Sequence, residues 1–306
     1  MVILLAKQIF VLFIMIFCGF TLVKLKYLKT SDYNVLTVLS VRLLYPCVII
    51  SAFQIDYTDE IRDGFLLAVA AAVIIQVILL ILSSLFRKMF SLSPIETASV
   101  FYSNSANMVI PLVASVLGEE WVIYTSAFIC VQTCVIWTHG QALIAGNGDR
   151  SLKKILVNPN VIAAILGIIL FLGRIPVPEV VENAISSMGK TVGPVSMFVV
   201  GGLLAAADWK KVLFNVRLWL VSAIRLVIIP LFILVFLKYS GLAGMVENGS
   251  QILLISLLAS VAPTASTVVQ IAQLYDREAV YSGQINALTT LLSIVTMPLM
   301  VMIYLF

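Results

Sequence analysis

The sequence predicts an all-α polytopic membrane protein of ten transmembrane helices, folded as two five-helix repeats of opposite orientation. Three observations predict it: the composition, the recurrence of long apolar runs, and landmarks that return about half a chain apart. Of 306 residues, 61% are hydrophobic and 11% charged, and the mean hydropathy is +1.11. A soluble domain carries far more polar surface over its core. Each bilayer crossing takes roughly 20 mostly apolar residues. Runs of that length fill the chain and leave no room for a soluble catalytic domain.

The expected spans are 2–23, 33–54, 64–86, 95–117, 121–145, 155–173, 183–206, 212–237, 250–274 and 279–305. The first is too long for a signal core, and its basic cluster Lys24, Lys26 and Lys29 follows it instead of preceding it, so it reads as a retained span. Short turn-like stretches separate the spans, among them Lys29 to Asp32, Asp56 to Asp63, Gly146 to Asp149, Arg174 to Pro178 and Gly241 to Gly249. One alternating set of connections holds eleven basic residues: Lys24, Lys26, Lys29, Arg87, Lys88, Arg150, Lys153, Lys154, Lys210, Lys211 and Arg277. The other set holds three, Arg62, Arg174 and Lys238. The richer set is expected in the cytoplasm, which puts both termini outside a plasma (inner) membrane. Cys130 and Cys134 share a helix face at a spacing of four, but no further Cys or His completes a soft-metal site, so they read as packing residues.

Dividing the chain near Gly148 gives repeats 1–147 and 148–306 of five spans each. An odd number of spans inverts the second repeat, and in such proteins the site lies near the midplane where the repeats meet. Landmarks match across the halves. Arg42 precedes Pro46 by four residues, as Lys190 precedes Pro194. Pro111 falls on Pro263, and Gln132 on Gln284, at a common offset of 152.

The fourth and ninth spans are the expected breaks. One reads Ser103-Asn104-Ser105-Ala106-Asn107-Met108-Val109-Ile110-Pro111, the other Ser260-Val261-Ala262-Pro263-Thr264-Ala265-Ser266-Thr267. Proline removes a backbone donor and clashes with the carbonyl four residues back. In hydrocarbon such a break survives only where protein or a water-filled cavity satisfies the freed groups. The half-helices beyond the breaks would aim partly positive N-termini at the midplane, a place suited to an anion. The candidate solute-binding residues are therefore Asn104, Ser105, Asn107, Pro111, Pro263, Thr264 and Ser266, with Gln132 and Gln284 beside them and Asn286 and Gln270 as further pathway candidates, set against a role in joining helices by hydrogen bonds.

These motifs resemble the auxin efflux carrier family, which includes bacterial permeases for malate and malonate. The resemblance rests on the Asn-rich break ending at Pro111, on Asn158 to Gly167 (NPNVIAAILG), on Arg225 to Leu231 (RLVIIPL), on Thr289 to Leu299 (TTLLSIVTMPL) and on Pro263. It implies ten spans as inverted five-span repeats, crossed broken helices 4 and 9, passage of small carboxylates, and a homodimer. Only Gly146 to Ser151 joins the halves here, where plant members carry a long cytoplasmic loop, so plant-style auxin transport and regulation through that loop are in doubt.

Arg225 lies near the centre of the eighth span, where an unpaired charge costs at least ~2.5 kcal/mol. Two readings stand: a brace on helix-end carbonyls, or a contact to a substrate carboxylate. Arg42 and Lys190 lie nearer the membrane faces, as pathway residues or as snorkelling ones. No acidic residue sits in the middle of any span, a balance that favours an anionic solute. His139, the single histidine, is a candidate proton relay, set against a plain hydrogen-bonded role near a helix end.

The reading is a secondary transporter of a small organic anion, a mono- or dicarboxylate, working by alternating access. No cofactor and no nucleic acid is called for, and coupling to H⁺ or Na⁺ stays open. The alternatives are a ligand-sensing receptor on a transporter fold and a cation-coupled exchanger. The lack of paired aspartates, of His-Glu-x-x-His and of a Ser-His pair at one depth counts against an intramembrane enzyme. Asn107→Ala and Arg225→Ala are expected to abolish transport while leaving expression intact.

Overall fold

A computed structural model describes residues 2–54, 57–146, 157, 159–206 and 208–306. The expected junction at 147–148, with Arg150, Lys153, Lys154 and Asn158, lies outside them, as does Asp56. Apolar runs dictate the architecture directly, because a backbone in lipid must satisfy its own hydrogen bonds. The described residues are mostly helical, with no strand among them. Six helical segments are long and apolar enough to cross a bilayer: Thr30–Ala52, Asp59–Phe90, Glu119–Ala145, Glu179–Ala206, Val216–Tyr239 and Ala279–Leu305. Shorter apolar helices cover Phe13–Lys24, Ser105–Ala114, Pro159–Gly173 and Gly249–Val261.

In chain order the helices are α1 (Val2–Lys24), α2 (Tyr33–Leu39), α3 (Tyr45–Ala52), α4 (Asp59–Phe90), α5 (Pro94–Phe101), α6 (Ile110–Val116), α7 (Val122–Val135) and α8 (Gln141–Ala145). Then follow α9 (Pro159–Gly173), α10 (Glu179–Lys190), α11 (Val192–Ala206), α12 (Trp209–Phe214), α13 (Val216–Ala223), α14 (Ile229–Tyr239), α15 (Gly249–Val261), α16 (Ser266–Leu274) and α17 (Ala279–Leu305). Wide π-helical turns join α2 to α3 (Ser40–Leu44), lead into α6 (Ser105–Val109), join α7 to α8 (Ile136–Gly140) and join α13 to α14 (Ile224–Ile228). Three of these turns run straight into helices with Pro46, Pro111 or Pro230 as second residue. The extra residue of a π turn relieves the clash that a proline ring makes with the preceding turn.

Packing divides the helices into two groups. In the first, α1 runs along α11, and α3 packs on α9 and α10. The α1–α11 approach is closed by glycine, since a methyl group on Gly201 would overlap the Ile16 carbonyl oxygen. In the second, α4 packs on α7 and α15, and α17 on α13 and α16. The polar breaks lie where the groups meet.

One ion cluster ties the second group together at a helix end. Glu96 closes a capping box with Ser93 at the start of α5. Its carboxylate, only 4% exposed, takes two bonds from Arg217, from Nε at 2.7 Å and from Nη2 at 2.8 Å. The Tyr281 hydroxyl donates a third at 2.7 Å, and Arg217 also binds the Phe90 and Ser91 carbonyls that end α4. Arg217→Ala would strand a buried carboxylate. Its cost is about 2 kcal/mol, below that of a fully buried pair because Arg217 is partly exposed. A thermal midpoint in detergent several degrees below wild type is the expected readout.

Candidate functional site

The two expected breaks are present and they meet. Between α5 and the turn before α6 the chain is extended through Tyr102 to Asn104, and between α15 and α16 through Ala262 to Ala265. The two segments pair antiparallel at Ser103 and Thr264. The Asn104 N–H donates to the Pro263 carbonyl at 2.7 Å, and the Ala265 N–H to the Tyr102 carbonyl at 2.9 Å. Backbone freed by each break is thus satisfied by the other, which answers the demand that hydrocarbon makes of an interrupted helix.

Side chains satisfy what the pairing leaves over. The Gln132 amide on α7 accepts from the Ser103 N–H and hydroxyl through Oε1, at 3.1 and 2.7 Å. Its Nε2 donates to the Ser103 carbonyl at 2.8 Å and to the Ser105 hydroxyl at 3.3 Å. On the other break, Asn286 Nδ2 of α17 donates to the Thr264 carbonyl at 2.7 Å, and the Thr264 N–H donates to the Thr289 hydroxyl at 3.3 Å. The Thr264 hydroxyl donates to the Ser99 carbonyl at 3.0 Å. Gln132 therefore has a counterpart, but it is Asn286. Gln284 is half-buried on α17 and does not line the crossing cavity. A fixed offset of 152 misses it, because the two halves do not keep one register between break and following span.

The prolines are likewise not equivalent. Pro263 sits in its break, whereas Pro111 is the second residue of α6, eight positions beyond Ser103. The first break is set by Asn and Ser side chains and by pairing with the second segment.

Arg225, fully buried in its π turn, donates to the carbonyls of Val100 at 3.2 Å, Ser260 at 2.7 Å and Ala262 at 2.6 Å. Those carbonyls belong to the C-terminal ends of α5 and α15, the partly negative poles of both half-helices. The guanidinium braces the crossing from the side of the helix ends.

On the opposite side the half-helices begin. The helical run from Ser105 and α16 from Ser266 present first-turn N–H groups that have no partner within their own helix. A cavity of about 60 Å³ opens there, walled by Tyr45, Asn104, Asn107, Gln132, Thr133 and Trp137 among others. Asn104 is 3% exposed, and its Nδ2 has no hydrogen-bond partner. No charged side chain lines this cavity among the described residues. Asn107, by contrast, is engaged at both ends: Nδ2 donates to the Ser266 hydroxyl at 2.9 Å, and Oδ1 accepts from the Ser196 hydroxyl at 3.1 Å. The His139 Nδ1 lies 2.8 Å from the Tyr102 hydroxyl, which ties the histidine to the first break.

Ile110 separates this cavity from a vestibule of about 480 Å³, walled by Ser51, Glu119, Glu120, Glu182, Ser186 and Lys190 among others. Lys190 Nζ stands 3.6 Å from Glu119 Oε1, with both side chains largely exposed. Lys190 thus lines a cavity, whereas Arg42 is exposed at the surface. Among the described residues no three His, Cys, Asp or Glu side chains converge as metal ligands do. Residues that the sequence did not single out are Tyr45, Ser196, Arg217 and Tyr281. Tyr45 and Ser196 adjoin the matched prolines Pro46 and Pro194, a signal that was present, whereas Arg217 has no local signature.

A family model described as membrane transport protein matches the chain twice, over residues 4–154 and 148–301. No curated protein matches the chain. The two matches together span nearly the whole sequence, and each contains one of the two breaks. The chain belongs to the membrane transport protein family, the auxin efflux carriers its motifs resemble, and is an integral multi-pass membrane transporter, not an enzyme.

Proposed function

We propose that the protein is a secondary transporter of a small organic anion, a mono- or dicarboxylate, that binds at the crossing and passes by alternating access. In this reading ten spans form inverted repeats 1–147 and 148–306. The termini lie outside the plasma membrane, and the protein pairs as a homodimer. The observation that carries the reading is the donor chemistry of the crossing cavity. Two half-helix N-termini and the unpartnered Asn104 Nδ2 converge on one small space. Donors at helix N-termini, in a space that no acidic side chain lines among the described residues, suit an anion.

The roles divide accordingly. Asn104, Ser105 and Asn107 face the solute with the backbone N–H groups beside them, and Ser266 holds Asn107. Pro263, Thr264 and Gln132 build the joint, and Arg225 positions it through the helix-end carbonyls. His139, bonded to Tyr102, is the titratable group through which a proton gradient would act on the first break.

Purified protein in liposomes, offered labelled mono- and dicarboxylates with and without sodium and pH gradients, tests this. Saturable uptake of at least one carboxylate, insensitive to sodium replacement, is the expected result. The acidic vestibule, with Glu119, Glu120 and Glu182 against Lys190, favours one second reading, a cation exchanger. Flux of a cation with no carboxylate moving would replace the first reading by the second. Tight carboxylate binding with no flux at all would replace both by a receptor.

A further inference from the structure

The matched prolines of the second and seventh spans have no role in the crossing itself, yet each delivers a polar side chain to it. Tyr45 immediately precedes Pro46, and Ser196 follows Pro194 by two residues. Their hydroxyls lie 3.2 Å apart, and Ser196 donates on to Asn107, which donates to Ser266. One side chain from each of four proline-bearing segments thus joins a single chain of hydrogen bonds. It crosses between the packing groups: Tyr45 and Ser196 sit on α3 and α11, Asn107 and Ser266 at the breaks.

That chain also stands between two spaces. Tyr45 and Asn107 line the crossing cavity and, on their other side, a small cavity of about 10 Å³ walled by Thr37, Ser40, Ser196, Ser266 and Gln270. Along the second span the order is Thr37 and Ser40, then Tyr45, then the vestibule residues Val48, Ser51 and Gln54. Along the seventh it is Val199 and Val200, then Ser196, then the vestibule residues Lys190, Gly189 and Ser186. Both helices therefore read as one route through the molecule, wide at the acidic end, narrow at the crossing, and shut beside Tyr45 and Asn107.

We infer that Tyr45, Ser196, Asn107 and Ser266 form a hydrogen-bonded gate across this route, and that Thr37, Ser40 and Gln270 line its continuation. The inference rests on the transport reading. Tyr45 and Ser196 are positioning residues: they hold Asn107 and join the two helix groups, and they release when the route opens toward Ser40. Every polar atom of the gate has a partner in the closed state, so each opening exchanges protein hydrogen bonds for water or solute. The gate thereby sets how often the far cavity is reached.

The test needs no solute, so its failure is separable from failure of the transport reading. Ser40 is 3% exposed and its hydroxyl has no partner, so Ser40→Cys is a near-isosteric reporter. Full-length protein in liposomes is treated with N-ethylmaleimide, and peptide mass spectrometry separates position 40 from the four native cysteines. Ser196→Ala, which removes both bonds of that hydroxyl, is expected to raise the labelling rate at position 40 about 3- to 10-fold, and Tyr45→Phe, which removes one, about 2-fold. Thr21→Ala, which removes only a local bond to the Phe17 carbonyl on α1, leaves the rate unchanged. A rate unaltered in Ser196→Ala at a wild-type thermal midpoint overturns the gate. Should that variant fail to fold, Ser196→Cys, a weak donor of similar size, carries the same expectation and the same refutation.

Discussion

Arg225→Ala is expected to abolish the folded, monodisperse protein and not merely its transport. The side chain satisfies three carbonyls at the ends of α5 and α15, all in a fully buried setting. Its removal strands them together, at about 3–5 kcal/mol. Arg225→Lys keeps the charge but offers one compact ammonium where a planar fork now reaches two helix ends. It is expected to fold with a thermal midpoint several degrees lower. Size-exclusion profiles and melting curves in detergent check both. A monodisperse Arg225→Ala with a wild-type midpoint would remove the brace and return Arg225 to the solute. The sequence alone allowed both readings and expected intact expression. The bonds to the carbonyls of Val100, Ser260 and Ala262 favour the brace.

How far the sequence reached can be argued from these same residues. The polar run from Ser103 to Asn107 and the stretch around Pro263 announced two breaks, because lipid tolerates such residues only where something satisfies them. Gln132 was found by its offset from Gln284. Asn286 was named as a pathway candidate, but its match to Gln132 was missed, since a constant offset presumes that inserted and deleted residues cancel between break and partner, and here they do not. The π turns before Pro46, Pro111 and Pro230 leave no mark beyond the proline itself, as the sequence does not say whether a helix kinks or widens. Arg217 and Glu96 lie far apart in the chain. The capping box at Ser93 and Glu96 is local, but the arginine that neutralises its carboxylate is a product of packing. Periodicity speaks to one helix at a time, whereas the crossing, the brace and the ion cluster are agreements among several.

Asn104→Asp separates an anion carrier from a cation carrier more sharply than any truncation. Asn104 precedes the helical run that begins at Ser105, and its Nδ2 is buried without a partner in the crossing cavity. An aspartate there sets a carboxylate against the first N–H groups of that helix, where negative charge is favoured by roughly 0.3–1 kcal/mol or more. Burial of the charge opposes that gain, so the fold is expected to persist with a thermal midpoint at or a few degrees below wild type. The same carboxylate occupies the donors assigned to the solute and repels a second anion across a low-dielectric space. Carboxylate uptake in liposomes is expected to fall more than 10-fold, which corresponds to about 1.4 kcal/mol or more of lost binding. Asn104→Ala, which removes one donor and adds no charge, should lose far less. If a cation were the cargo, the added charge would hold or raise its uptake while Asn104→Ala lowered it. Undiminished carboxylate flux in Asn104→Asp would place the solute elsewhere than the crossing, whatever the solute proves to be.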